Sequence, residues 1–296
     1  MFGILSMAMQ IGGALSPLLV VPIQARYGWR ASFYIFALVG VAWAAVWFAL
    51  FRNTPAEKPG VTTTELSEIG TADRSGHGIR WGAAIRTGNF WAIILMVLSF
   101  GYGNYFFVAW LHTYLVKARD FSEGDLLLSA LPFVFGACAN VASGIASDAL
   151  LKRRGLKAAR RWVGITGLGS ASLFALLATL THSKLATLLL LSLSFAGICF
   201  NQPMTFAICI DVARPSPGSM AGAVNTAAYV GGFLSGVIFG YIVNVSGSYD
   251  RPLILMAVVL GFGALTWFKI DPTRQLISET MLRPARAASI TDPEAP

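Results

Sequence analysis

Hydrophobic residues in this chain come in long blocks, not in strand-like alternation or narrow helical stripes. Eight apolar runs lie near 2–23, 29–51, 89–116, 124–150, 161–181, 185–212, 217–245 and 252–269. About 20 apolar residues in an α-helix cross roughly 30 Å of hydrocarbon, and a helix satisfies its own backbone polar groups where no water can. The runs therefore predict an all-α membrane protein with eight transmembrane helices. Polar sequence gathers in two places. Residues 52–88 hold Pro55, Pro59, the run Thr62-Thr63-Thr64, Glu65, Glu68 and Gly76, a loop-like composition. Residues 271–296 are similarly polar and are expected to be a loosely ordered tail. The expected organisation is two helices in 1–51, a central loop at 52–88, six helices in 89–270 and the tail.

Composition agrees with the pattern. Of 296 residues, 55% are hydrophobic and 12% charged, whereas soluble domains carry about 25% charged residues. The net charge of +8 would suit a nucleic-acid partner, but the distribution of the charges argues against one. One side of an eight-span chain collects Arg52, Lys58, Arg74, Arg80, Arg86, Lys152, Arg153, Arg154, Lys157, Arg160, Arg161, Arg214, Lys269, Arg274, Arg283 and Arg286. The other holds Arg26, Arg30, Lys117, Arg119, Lys184 and Arg251. The positive-inside rule puts the richer side, with both termini and the 52–88 loop, in the cytoplasm, as expected of a multi-pass bacterial inner-membrane protein. Trp29, Trp81, Trp91 and Trp162 stand at span edges, where indoles favour the headgroup region. The basic excess is topological, and the partner it implies is the lipid bilayer.

Enzyme chemistry finds no foothold. Cys138, Cys199 and Cys209 lie within apolar runs and are odd in number; they read as small packing residues. His77, His112 and His182 are far apart, with no metal-ligand spacing. No Walker loop, catalytic acid pair, cofactor motif or ring of charges is visible.

The chain echoes itself. At a shift of 219 residues, Ala8, Gly12, Gly13, Leu15 and Ser16 meet Ala227, Gly231, Gly232, Leu234 and Ser235, and Gly28 meets Gly247. Membrane carriers are often built from duplicated halves. If the first two spans repeat the last two, they close a first six-helix half, and four helices are expected before Met1.

Local motifs point the same way. They are Gly12-Gly13-Ala14-Leu15-Ser16-Pro17 with Gly28-Trp29-Arg30-Ala31-Ser32-Phe33; the aromatic run Tyr105 to Leu115; Gly144-Ile145-Ala146-Ser147-Asp148 with Lys152-Arg153-Arg154-Gly155; and Gly222-Ala223-Val224-Asn225 running into Gly231-Gly232. With these the chain resembles the anion:cation symporter family of the major facilitator superfamily, over nearly all of residues 1–271. The resemblance implies helices five to twelve of that fold. It also implies alternating-access symport of a small organic anion with a proton or sodium ion. Two departures stand out. His112 occupies a position where the family usually has proline, and Phe100 one where some members have arginine. A non-transporting remnant of such a carrier, and a facilitator for a neutral sugar or drug, are the alternatives.

Candidate site residues follow from what is polar at depth. No Lys, Arg, Asp or Glu falls mid-span, so no proton carrier is evident. Gln10, Asn104, Asn140, Asn201, Gln202 and Asn225 are the amides, and in hydrocarbon each needs a partner helix or a bound ligand. Asn225, with Tyr229 and Gly232 at helical spacing, leads the substrate-binding set, and the resemblance supports it. Asn201 and Gln202 precede the helix-breaking Pro203. Tyr102 and Tyr105 flank flexible glycines, and Gln10 shares a face with Gly13 and Pro17. Gly232, Gly236 and Gly240, with Gly218 and Gly222 earlier in the span, predict a close helix seam. Asp148 with Lys152, Arg153 and Gly144 is read as a gating latch, a carboxylate holding one state by charge-assisted bonds.

Overall fold

The computed structural model describes residues 2–52, 55–58, 60–69, 79, 81–122, 128–213 and 216–276. Arg74, Gly76, His77, Arg80, Arg214, Arg283 and Arg286 lie outside these residues, as does most of the expected tail. The described residues form helices α1 (Phe2–Tyr27), α2 (Trp29–Leu50), α3 (Thr63–Ile69), α4 (Trp81–Ala84), α5 (Gly88–Tyr105), α6 (Leu111–Arg119), α7 (Leu131–Leu180), α8 (Lys184–Val212), α9 (Pro217–Ser246) and α10 (Asp250–Thr266). A single π-helical stretch, Phe106–Trp110, joins α5 to α6.

By length and hydropathy, six helices among the described residues can cross a membrane: α1, α2, the continuous Gly88–Arg119 rod, the rod containing α7, α8 and α9. Sequence pattern gave eight runs, and the two descriptions differ at two places. Most described residues of the runs near 124–150 and 161–181 fall within the 50-residue α7, whose path breaks at Gly155 with φ 79° and ψ 173°. Only glycine adopts that backbone easily. The last run forms a 17-residue helix that ends in turns at Trp267.

The helices divide into two compact units. One comprises the described residues of Ser16–His77, the other those of Met1–Leu15 and Gly78–Pro296. In the smaller unit α2 is apolar all round, and the most apolar 18-residue window has no buried residue. A helix with no polar face belongs in lipid or against another helix. Its aromatic residues stack at i, i+4: Trp47 and Phe51 lie 4.5 Å apart and nearly parallel. Gly28, between α1 and α2, has φ 78° and donates its N–H to Gln24 O. Gly247, its echo, has φ 64° and donates to Val243 O. Each closes its helix with the same backbone bond.

The larger unit is held by glycine-permitted contacts. A Cβ on Gly101 would strike the Ala228 carbonyl, and one on Gly231 would strike that of Leu98, so α5 and α9 touch backbone to backbone. A Cβ on Gly197 would lie 2.6 Å from Gly167 O, which brings α7 and α8 equally close. Gly164 leaves room for the ring of fully buried Trp267. Of the expected glycine seam, Gly232 and Gly236 receive the Tyr105 ring and Gly240 the Trp110 ring, while Gly218 and Gly222 face open space.

Polar ties close both ends of this unit. Arg119, 8% exposed, pairs with Asp250 at 2.8 Å and also donates to Thr187 Oγ1 and Ala178 O; Tyr114 donates to Asp250 at 2.7 Å. That cluster joins α6, α7, α8 and α10. Toward the other end, Arg160 pairs with Asp211 at 2.9 Å and donates to Ser147 Oγ. The stretch after α10 is strapped down: Asn89 exchanges two hydrogen bonds with the Asp271 backbone, Arg161 donates to Ile270 O, and Leu276 N–H donates to Val212 O. Residues 271–276 are therefore fixed in place, contrary to the expectation of a loose tail from 271. Residues 277–296 are outside the described set.

Candidate functional site

Within the larger unit a cleft of about 230 Å³ opens where α5, α8 and α9 meet the start of α1. Val97, Phe100, Gly101, Asn104 and Tyr105 come from α5; Gln202, Thr205 and Phe206 from α8; Val224, Asn225, Ala228, Tyr229 and Gly232 from α9; and Met9 from α1. Helical spacing explains the grouping. Asn225, Tyr229 and Gly232 share one face of α9, and Phe100 and Asn104 share one face of α5. The π-helical stretch begins immediately after Tyr105, and such bulges frequently accompany functional sites.

Among the described residues, no Lys, Arg, His, Asp or Glu lines the cleft. Its polar groups are three amides, two phenols and one threonine hydroxyl. Among the described residues the side chains of Asn104 and Asn225 have no hydrogen-bond partner. Each amide offers two donors and one acceptor, and leaving them unpaired in an apolar setting is costly. They are available to a ligand or to water. Such a wall can donate to carboxylate, sulfonate or hydroxyl oxygens, and it offers no countercharge of its own.

The structure brings some expected site residues together and separates others. Asn225, Tyr229, Tyr105 and Gln202 line the cleft. Gln10 does not line it; its Nε2 donates to Gln202 Oε1 at 3.2 Å. Asn201 is fully buried behind the wall, accepting from Trp267 Nε1 at 3.0 Å. Tyr102, 5% exposed, packs inside the bundle, and its hydroxyl has no partner among the described residues. Asp148, Lys152 and Arg153 are exposed on α7, with no ion pair among the described residues. Gly144 faces Gly3, where α1 and α7 approach closely. The ion pair nearest this motif is Arg160–Asp211, reached through Ser147. In the sequence Asn104 is one mid-span amide among several, and Thr205 is not distinguished at all. Asn104 stands four residues from Phe100, a spacing that signals its face. Thr205 carries no such signal.

The fold and the cleft define a class: a polytopic helical membrane protein with a neutral, polar-lined cleft between helices. The profile of the Major Facilitator Superfamily matches residues 1–236, and the chain belongs to that superfamily. Curated relatives are similar over most of the chain. The probable sulfoacetate transporter SauU of Cupriavidus necator is 32% identical over 270 residues, covering 89% of this chain and 62% of that protein. The hexuronate transporter of Bacillus subtilis is 25% identical over 268 residues, covering 89% and 63%. The probable L-galactonate transporter of Escherichia coli is 25% identical over 274 residues, covering 90% and 60%. The chain thus spans about six tenths of the length of these relatives.

Proposed function

We propose that this chain forms the helix-five-to-twelve part of a secondary active transporter that carries a small organic anion across the bacterial inner membrane by alternating access. The observation that carries the reading is the neutral cleft, with unpartnered Asn104 and Asn225 beside Gln202, Tyr105 and Tyr229. Amide donors suit the oxygen-rich ends of sulfo acids and sugar acids, the chemistry of the sulfoacetate, hexuronate and L-galactonate for which the relatives are named. Eight crossings follow if α7 crosses twice about Gly155 and α10 crosses once. Both termini then lie in the cytoplasm, with 52–88 as the central loop and 271–296 as the tail.

A hydrogen bond to a charged group contributes about 1.5–3 kcal/mol, and several converge here. An anion in this cleft still needs countercharge, because a lone charge at membrane depth is expensive. Symport with a proton or sodium ion supplies it. Asp148, Lys152, Arg153 and Gly144 act in gating, the exposed charges of the first three engaging partners in another conformation while Gly144 lets α1 approach α7. Asn201 and Tyr102 support the wall from behind.

The test is uptake of labelled sulfoacetate and galacturonate by cells expressing the chain, with and without a protonophore. Uptake that collapses with the proton gradient supports proton symport. Uptake that persists with neither a proton nor a sodium gradient contradicts coupling and favours a facilitator. Lack of uptake by this chain, with uptake by a form extended by four upstream helices, supports the remnant alternative.

A further inference from the structure

Like Ser6, Ser32, Ser143 and Ser235, whose hydroxyls have no partner among the described residues, Thr205 departs from the self-satisfied helix hydroxyls of this chain. Those of Ser99, Thr166, Thr226 and Thr266 donate to a carbonyl three or four residues earlier, the ordinary way such groups are satisfied. The Thr205 hydroxyl accepts a hydrogen bond from Asn201 Nδ2 at 3.4 Å and, among the described residues, gives its proton to no protein acceptor. It is 4% exposed and lines the cleft.

The orientation of Asn201 is fixed from behind. An indole N–H can only donate, so Trp267 Nε1, 3.0 Å from Asn201 Oδ1, requires the amide oxygen on its side. The amide NH₂ is then turned toward Thr205 Oγ1 and Met96 Sδ. Close helix approach holds the arrangement. A Cβ on Gly164 would strike the Trp267 ring, and one on Gly167 would lie 3.0 Å from the Asn201 N. Asn201 and Trp267 are both fully buried. With a lone pair occupied by Asn201 and no protein acceptor among the described residues, the Thr205 proton is free for an acceptor in the cleft that this residue lines.

We propose that Asn201 is a positioning residue: held by Trp267, it turns the Thr205 hydroxyl into a fixed donor for a carboxylate or sulfonate oxygen of the substrate. Gln10 acts in parallel, occupying Gln202 Oε1 and leaving the Gln202 NH₂ for the cleft. The α8 wall is thereby polarised toward acceptor-only groups, and this is a source of anion selectivity in a site without a cation. The inference rests on the anion-transport reading above.

The experiment measures equilibrium binding of sulfoacetate to the purified protein and to Thr205→Val, Thr205→Ser, Asn201→Leu and the Asn201→Leu/Thr205→Val double variant, with a melting temperature for each. Losing one hydrogen bond to a charged group is expected to weaken binding about tenfold in Thr205→Val, and Thr205→Ser should restore it. Asn201→Leu should weaken binding in the parent but add nothing to Thr205→Val, the non-additivity of residues acting through one another. Unchanged affinity in Thr205→Val, or effects of the two substitutions that simply add, would overturn the proposal while leaving the anion reading standing. Absence of saturable binding of sulfoacetate, galacturonate and galactonate by the unaltered protein would overturn both.

Discussion

Asn225 and Asn104 concentrate the binding argument at the scale of single residues. Both present unpartnered amides to the cleft from facing helices, α9 and α5. Replacing either with alanine should weaken organic-anion binding about tenfold, as expected for loss of a hydrogen bond to a charged group. Membrane insertion and melting temperature should be unchanged, because neither amide bonds to the protein. Unaltered affinity in radioligand titration would remove that residue from the site. Asn225 was legible in the sequence because an amide at mid-span is rare and expensive. Thr205 was not, because a helix hydroxyl often satisfies itself within its own turn, and sequence cannot show which ones do not. Asn201 looked like Gln202 from the sequence. Adjacent helix positions point about 100° apart, so one faces the cleft and the other the buried Trp267.

The α5–α9 contact is the most demanding feature at the scale of helices. Gly101 and Gly231 each face a backbone carbonyl of the other helix, and backbone cannot move aside as a flexible side chain can. Gly231→Ala should therefore force the helices apart and lower the melting temperature by several degrees. Gly218→Ala, at a position facing open space, should leave it unchanged. Differential scanning fluorimetry in detergent distinguishes them. The Arg119–Asp250–Tyr114 cluster makes a second case. Truncating one member of a buried pair leaves an uncompensated charge, at a cost of about 3–5 kcal/mol in full burial, and less here because the Asp250 side chain is 38% exposed. Asp250→Ala should reduce thermal stability, whereas the Arg119→Met/Asp250→Leu double variant should regain much of it. Sequence reading counted Arg119 only as a topological charge, since nothing local reveals a partner 131 residues away.

The strap after α10 belongs to the same scale and gives a pH dependence. Burial raises the Asp271 carboxyl, but hydrogen bonds from Lys157 and Thr273 outweigh it and hold the group at about 2, below its ordinary 3.8. A lowered folded-state value means that stability is fully present above pH 3.8 and is lost as pH falls through about 2. The strap should thus stay intact across the physiological range. Asp271→Ala should weaken it at neutral pH without changing anion affinity, as read by melting temperature beside a binding titration. The hydrophobic pattern found the helices readily, since apolar runs of this length have few other uses. It missed the strap because polar residues beyond a helix end look alike whether bound or free.

For the whole molecule, superfamily membership accounts for the long apolar helices. On the proposed reading, a cleft lined by neutral polar groups recognises oxygen acceptors without balancing their charge, and transport of an organic anion would draw on a co-transported cation or on another wall. The most direct test is equilibrium binding of labelled sulfoacetate and galacturonate to the purified protein, run side by side with Asn225→Ala. Saturable binding of at least one anion, weakened about tenfold by the substitution, is the predicted result. Lack of saturable binding of either, or identical affinity in the two proteins, would contradict the assignment of this cleft as the anion site.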